Sequence, residues 1–128
     1  YEHLWKKLRA ESLGEMQHAD MLIQRILFLD GVPNLQRLYK VTVGETVEEM
    51  MRVDLELEAT HRERVQRTID ICHSKSDHQT RRVLEVILED TEDHIDWIEA
   101  QQDQIQQMGL QQYLNLQVVT RPGYKYEH

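Results

Sequence analysis

Apolar side chains recur at the period of an α-helix along most of the chain. The pattern predicts four helices, over about residues 3–29, 46–73, 77–108 and 110–118. The apolar positions that carry the first three helices are Leu4, Trp5, Leu8, Met16, Leu22, Ile23, Ile26 and Leu27, then Met50, Leu57, Val65 and Ile69, then Leu84, Ile87, Leu88, Ile95, Ile98 and Ile105.

Cap and stop residues divide these segments. Glycine and proline end helices, and a Ser or Thr followed three residues later by Glu or Gln is typical of a capping box. With only two prolines and five glycines, the chain is predicted to be all-α. The boundary signals are Gly31 and Pro33, the pair Thr46 and Glu49, the pair Ser76 and Gln79, and Gly109.

The loop lengths predict the topology. The second and third helices are separated by a few residues and should be antiparallel neighbours. The first connection has about 15 residues and can span roughly 50 Å, which exceeds the roughly 40 Å length of the first helix. A crossover that leaves the first two helices parallel is the ferritin-like arrangement. We therefore expect one ferritin-like domain over residues 1–128, with a long crossover loop, a short C-terminal helix and the N-terminal helix of the four-helix bundle missing.

Composition narrows the class of protein. The chain carries 15 basic and 23 acidic residues, a net charge of −8, which disfavours nucleic-acid binding. A single cysteine, Cys72, excludes an intrachain disulfide and favours a reducing compartment. No apolar run approaches the roughly 20 residues of a membrane span. These features predict a cytoplasmic protein without membrane contact.

The most informative segment is Glu15-Met16-Gln17-His18 on the first helix. Glu15 and His18 lie about 60° apart around the axis, so both can reach one metal ion. Met16 points about 100° away from Glu15, in the direction opposite to His18. One short segment thus predicts two separate sites on one helix.

The second and third helices place similar residues where apolar ones are expected. Glu58 has Asp54 one turn before it and His61 three residues after it, while His94 has Asp90 one turn before it. Di-iron sites in helical bundles use Glu residues together with Glu-x-x-His pairs. Carboxylate oxygens and imidazole nitrogens suit iron. The three helices together therefore predict a metal site.

The third helix departs from the Glu-x-x-His rule. The residue three before His94 is Thr91, and Glu92 lies about 200° away from His94 around the axis. Asp90 shares a face with His94, but its side chain is one methylene shorter than Glu. Each feature also has a simpler interpretation: a solvated pair, a surface group, a core methionine or, for Trp5 and Trp97, a packing residue.

The chain resembles the bacterioferritins over nearly its whole length, up to about residue 119. The segments that carry the resemblance are residues 10–20, 25–36, 92–99 and 108–114. The resemblance implies a hollow, iron-storing shell of roughly two dozen subunits, homo- or hetero-oligomeric. It also implies haem b on the twofold axis of each subunit pair, ligated by Met16 from both partners, and a ferredoxin-type reductant. The resemblance further implies that Glu15, His18, Glu58 and His94 occupy four of the catalytic and metal-ligand positions of the family's di-iron ferroxidase centre.

Thr91 stands where the family has a bridging Glu, and another family ligand lies on the missing N-terminal helix. We therefore expect a bacterioferritin subunit for iron storage and detoxification whose ferroxidase centre is impaired. His61 and Asp90 are additional candidate metal ligands. Two alternatives are open: a fully active ferroxidase that oxidises Fe²⁺ with O₂ or peroxide, or a haem-binding structural or electron-transfer subunit without its own iron oxidation.

Overall fold

The computed structural model describes residues 2–32 and 46–117, apart from the side chain of Glu2. Four α-helices follow one another: α1 (Glu2–Phe28), α2 (Val47–Ser74), α3 (His78–Met108) and α4 (Leu110–Leu116). Within the two described ranges there is no strand, so the all-α prediction is confirmed. No helix in these ranges is both long and apolar enough to cross a membrane.

Contacts at both ends of α1 fix its direction relative to α3. Lys7, early in α1, has its Nζ 5.3 Å from the ring centre of Trp97, late in α3. Arg25, near the end of α1, donates to Asp77 immediately before α3, at 3.1 Å. Helices α1 and α2 are therefore both antiparallel to α3 and parallel to each other, as the predicted crossover requires. The crossover itself, residues 33–45, lies outside the described residues.

Two of the predicted boundary signals operate as expected. The side chain of Thr46 accepts a hydrogen bond from the backbone N–H of Glu49 at 3.1 Å and so caps α2. Gly109 follows α3 with a φ of 86°, a conformation that favours glycine, and its N–H donates to the carbonyl of Ile105. This turn directs α4 back against the end of α3.

The predicted Ser76–Gln79 capping box is wrong. Asp77 is the N-cap of α3, because its carboxylate accepts from the backbone N–H of Thr80 at 3.2 Å and from the Thr80 hydroxyl at 2.6 Å. Ser76 instead occupies the turn between α2 and α3 with a φ of 57°. Arg25 donates to Thr80 as well as Asp77, so the same cap fastens α1 to the α2–α3 turn.

The core consists of two apolar clusters, one toward each end of the bundle. On α2 the buried residues recur every seven positions, and on α3 a similar seven-residue repeat faces them. Polar residues take the middle positions of both repeats. One cluster contains Leu4, Met51, Ile98, Ile105 and Tyr113, and the other contains Val65, Cys72, Leu84 and Ile87.

Some apolar residues predicted on the core faces lie exposed in this chain. Met50 is 38% exposed while Met51 is 7% exposed, because the seven-residue repeat of α2 passes through the second methionine. The prediction that Met50 faces inward was wrong. Trp5, predicted as a packing residue, is 58% exposed. The exposed large apolar residues of α1 are Trp5, Leu8, Leu13, Met16, Leu27 and Phe28.

Replacing Ile87 by Ala should lower the free energy of unfolding by about 2–5 kcal/mol, because the fully buried side chain leaves a cavity against α2. The matched control is Val86→Ala, one residue earlier and 49% exposed, which should change it by about 0.5 kcal/mol or less. Urea unfolding followed by circular dichroism measures both. Equal losses in the two variants would contradict the assigned α2–α3 interface.

Candidate metal centre

Three buried polar residues lie between the two apolar clusters. Glu58 on α2 is 7% exposed, and Thr91 and His94 on α3 are 4% and 3% exposed. Each takes a position in the seven-residue repeats that an apolar side chain would otherwise fill. Burial of ionisable groups is unfavourable unless they are paired, hydrogen-bonded or bound to a metal. The neighbours of these residues therefore decide what the cluster can do.

Both ring nitrogens of His94 face carboxylates. Nε2 lies 3.0 Å from Oδ2 of Asp54, in a hydrogen bond. Nδ1 lies 3.2 Å from Oε2 of Glu11, yet this buried nitrogen has no hydrogen-bond partner. Burial by itself would lower the pKa of His94, but the bond to Asp54 and the charges of Glu11, Asp54 and Glu58 outweigh it and raise the pKa. The surroundings of this ring favour a positive charge.

Glu58 and Glu15 form a carboxyl pair between α2 and α1. The pKa of Glu58 is raised from 4.5 to about 8, chiefly by burial and in addition by the hydrogen bond to Glu15 and the charge of Glu15. Two hydrogen-bonded carboxyl groups share a proton, because ionising both would place two negative charges side by side at a buried position. A divalent cation can replace that proton and allow both groups to ionise.

His18 is held from the opposite side by Asp90. Nε2 of His18 lies 2.6 Å from Oδ2 of Asp90, and the side chains are 15% and 54% exposed. This contact occupies one ring nitrogen and leaves Nδ1 of His18 available as a ligand atom. Asp54 and Asp90 thus have the same relation to their histidines, which is the relation that carboxylates commonly have to metal-binding histidines.

His61 follows Glu58 by three residues on α2 and is influenced by the charges of Glu15 and His18. Burial lowers the pKa of His61, the charge of Glu15 opposes that shift, and the charges of His18 and Arg64 lower the pKa further. The imidazole is therefore neutral at pH 7, the protonation state in which it can bind a metal. Its electrostatic neighbours place it close to Glu15 and His18.

Thr91 occupies the α3 position at which the Glu-x-x-His pattern would have a glutamate. It is 4% exposed, one turn before Ile95 and three residues before His94. A hydroxyl carries no charge and has a shorter reach than a Glu side chain. Of the described α3 residues on this face, His94 offers an imidazole, and Asp90 offers a carboxylate that is already bonded to His18.

The donors that remain fit a metal ion. Asp54, Glu58 and His94 each bring one ligand atom into a group in which all atoms lie within 4.8 Å of one another. That spacing allows several donors to surround one ion, since metal–ligand bonds are about 2.0–2.4 Å long. The Nδ1 atom of His94 supports the same conclusion, because it is a buried polar atom that makes no hydrogen bond within the described residues.

One residue of this cluster was missed by reasoning from the sequence. Glu11 lies one turn before Glu15 and seven residues before His18, so all three share a face of α1. That spacing was available in the sequence. The Glu-x-x-His pattern covers only residues 15–18 and therefore does not include Glu11. By contrast, Met16 lies away from the cluster on the outer face of α1, where it is 56% exposed.

The metal-free protein should lose stability as the pH rises from about 4.5 to 8. The pKa of Glu58 is higher in the folded than in the unfolded chain, so in this window the folded state holds more protons, and the free energy of unfolding falls with pH. Glu58→Gln should flatten this slope, whereas Glu56→Gln, on the exposed side of α2, should leave it unchanged. Urea unfolding in chelator at several pH values measures the slopes, and identical slopes for wild type and Glu58→Gln would contradict the assignment.

Comparison with known proteins identifies the family. The ferritin-like domain model matches residues 1–108. A bacterioferritin of Streptomyces coelicolor is 46% identical over 115 residues, covering 87% of this chain and 69% of that protein. A bacterioferritin of Mycobacterium avium is 38% identical over 122 residues, covering 95% and 76%, and one of Brucella melitensis is 38% identical over 113 residues, covering 88% and 70%. The chain belongs to the bacterioferritin family of ferritin-like proteins.

Proposed function

We propose that this chain is a subunit of an iron-storing shell and that the cluster between α1, α2 and α3 binds ferrous iron as substrate. The observation that carries the proposal is the buried His94, whose Nδ1 has no hydrogen-bond partner and lies beside Glu11, within a group of possible ligands that includes Asp54 and Glu58. The similarity to proteins named bacterioferritins supports iron as the cation. The reaction is oxidation of Fe²⁺ to Fe³⁺ by O₂ or peroxide.

The residues of the cluster have distinct tasks in this proposal. Glu15, His18, Glu58 and His94 bind the cations. Asp54 and Asp90 hold the Nε2 atoms of the two histidines, which orients each ring so that its Nδ1 faces the site. Glu15 and Glu58 release their shared proton when a cation binds, so uptake should be favoured as the pH rises.

Thr91 weakens this centre. A bridging carboxylate binds two cations at once and offsets part of their charge, and the neutral hydroxyl of Thr91 does neither. We therefore propose slow oxidation by this subunit alone, with intact subunits of a mixed shell completing the reaction. The alternative is a fully active ferroxidase in which His61 or Asp90 compensates. The burial of His61 near Glu15 and His18 favours that alternative over a subunit that handles no iron.

Haem binding is a second part of the proposal. Met16 is 56% exposed on the outer face of α1, where Trp5, Leu13 and Leu27 are also more than half exposed. An apolar face with an exposed thioether suits a haem held between two subunits, each of which contributes one methionine. Haem at that place would carry electrons between the mineral and a ferredoxin-type reductant in the cytoplasm.

Thr91→Glu should raise the initial rate of iron oxidation by about tenfold or more, because it adds the missing carboxylate next to His94. Thr68→Glu, on an exposed position of α2 outside the cluster, is the matched control and should leave the rate unchanged. An oxygen electrode records consumption after Fe²⁺ addition to the assembled protein, and elemental analysis records the iron retained. Rapid two-iron turnover by the wild-type subunit would contradict the weakened centre, and a shell that never retains iron would contradict iron storage.

Met16→Leu should abolish the absorption spectrum of methionine-ligated haem while the assembly stays intact, because leucine keeps the apolar volume and removes the thioether. Met50→Leu, a partly exposed methionine on α2, is the control and should keep the spectrum. Visible absorption with reconstituted haem and size-exclusion chromatography provide the two readouts. An unchanged haem spectrum in Met16→Leu would overturn this ligand assignment.

A further inference from the structure

The contact between Glu11 and His94 has the geometry of two ligands to one cation. Oε2 of Glu11 lies 3.2 Å from Nδ1 of His94, within hydrogen-bonding distance, yet Nδ1 has no hydrogen-bond partner. The oxygen therefore lies off the direction of the ring nitrogen's lone pair. Two donors that each lie about 2.1 Å from one ion, at 90–110° to each other, are separated by about 3.0–3.4 Å. The observed separation falls in that range.

The orientation of Glu11 is set by a second contact on the same helix. Its Oε1 accepts from Nζ of Lys7 at 2.8 Å, four residues earlier, and Lys7 in turn lies over the ring of Trp97. This leaves Oε2 facing His94. Glu11 is only 25% exposed, so its carboxylate is held at the α1–α3 contact and not displayed to solvent.

Glu11 lies close to the imidazole that a carboxylate at residue 91 would accompany. Thr91 lies three residues before His94 on α3, and Glu11 approaches the same imidazole from α1. Around this ring the described residues offer carboxylates from Glu11 on one nitrogen and Asp54 on the other. Asp54 orients the ring, which leaves Glu11 as the carboxylate beside the free nitrogen.

We propose that Glu11 is a metal ligand in this protein: with Nδ1 of His94 it binds a divalent cation at the α1–α3 contact and supplies the carboxylate that Thr91 does not. This inference rests on the proposed function, because it assigns a further ligand within the same cluster. It adds to that proposal one further carboxylate from α1, in place of the one absent at residue 91 of α3. The site so formed needs no charged group at residue 91.

Cobalt(II) binding tests the assignment without measuring iron oxidation. Assembled wild-type protein, freed of metal with chelator, is titrated with Co²⁺ while its visible d–d absorption is recorded. Glu11→Gln should weaken Co²⁺ binding by at least tenfold and change the band shape, because loss of even an outer partner of a ligand costs about 10–100-fold. The control, Glu56→Gln, removes a Glu from a comparable pair four residues apart, Arg52 and Glu56, on the exposed side of α2 and should bind as wild type.

The outcomes separate this inference from the proposed function. If wild type binds Co²⁺ and Glu11→Gln binds it with the same affinity and spectrum, Glu11 is no ligand, while the proposed function stands. If wild type binds no Co²⁺, both fail. If Glu11 only pairs with His94 and does not bind the cation, Glu11→Gln should leave the shape of the Co²⁺ bands unchanged and lower stability in chelator, which unfolding curves detect. Glu11→Asp, which keeps the charge but shortens the reach, should also weaken binding and replaces Glu11→Gln if that variant does not assemble.

Discussion

Burial of charged groups in the middle of a helical bundle is the constraint on which the rest of this structure depends. Glu58 and His94 occupy core positions, and burial of their charges is costly unless each finds a partner. The partners come from α1, in the form of Glu11 and Glu15, and from Asp54 on α2. The pairing satisfies these groups only in part, since one imidazole nitrogen has no hydrogen bond and two carboxyl groups share a proton. A bound cation removes both deficits at once.

The apolar clusters offset the cost of burying this polar centre, and the helices contribute to them unequally. Helices α2 and α3 are joined along their length by the seven-residue repeats of Val65, Cys72, Leu84, Ile87 and their counterparts at the other end. Helix α1 contributes Leu4 to one cluster and packs Met21 and Leu22 against the other. Polar contacts join it further to α3 and its cap, from His18 to Asp90 and from Arg25 to Asp77. The α2–α3 hairpin therefore provides the scaffold, and the position of α1 depends on both its apolar contacts and the charges of the site.

The sequence was sufficient for the fold because its signals are local. Helical periodicity, the Thr46 cap and the Gly109 stop each depend on a few neighbouring residues, and the structure agrees with them. Asp77 was missed as a cap because Ser76 offered an equally good pattern one residue earlier. Met50 was predicted in place of Met51 as the apolar residue that faces the core, because the periodicity of one helix does not fix which of two adjacent residues contacts α3.

The site was predictable only where one helix carries the pattern. The Glu15–His18 pair could be recognised on α1 alone, but the approach of Glu11 to His94 depends on the register between α1 and α3, which no local pattern fixes. The same holds for the hydrogen bonds that join Asp54 to His94 and Asp90 to His18, pairs that lie 40 and 72 residues apart in the chain. Such contacts follow from the packing of helices, and the packing follows from the apolar repeats.

The polar contacts of α1 at the site couple metal binding to folding. A cation held by residues of α1, α2 and α3 adds its binding free energy to the association of those helices. In the proposed site, Thr91 on α3 would supply no charge to the cation, whereas Glu11 would supply a carboxylate from α1. The proposed centre would therefore depend more on α1 and less on α3.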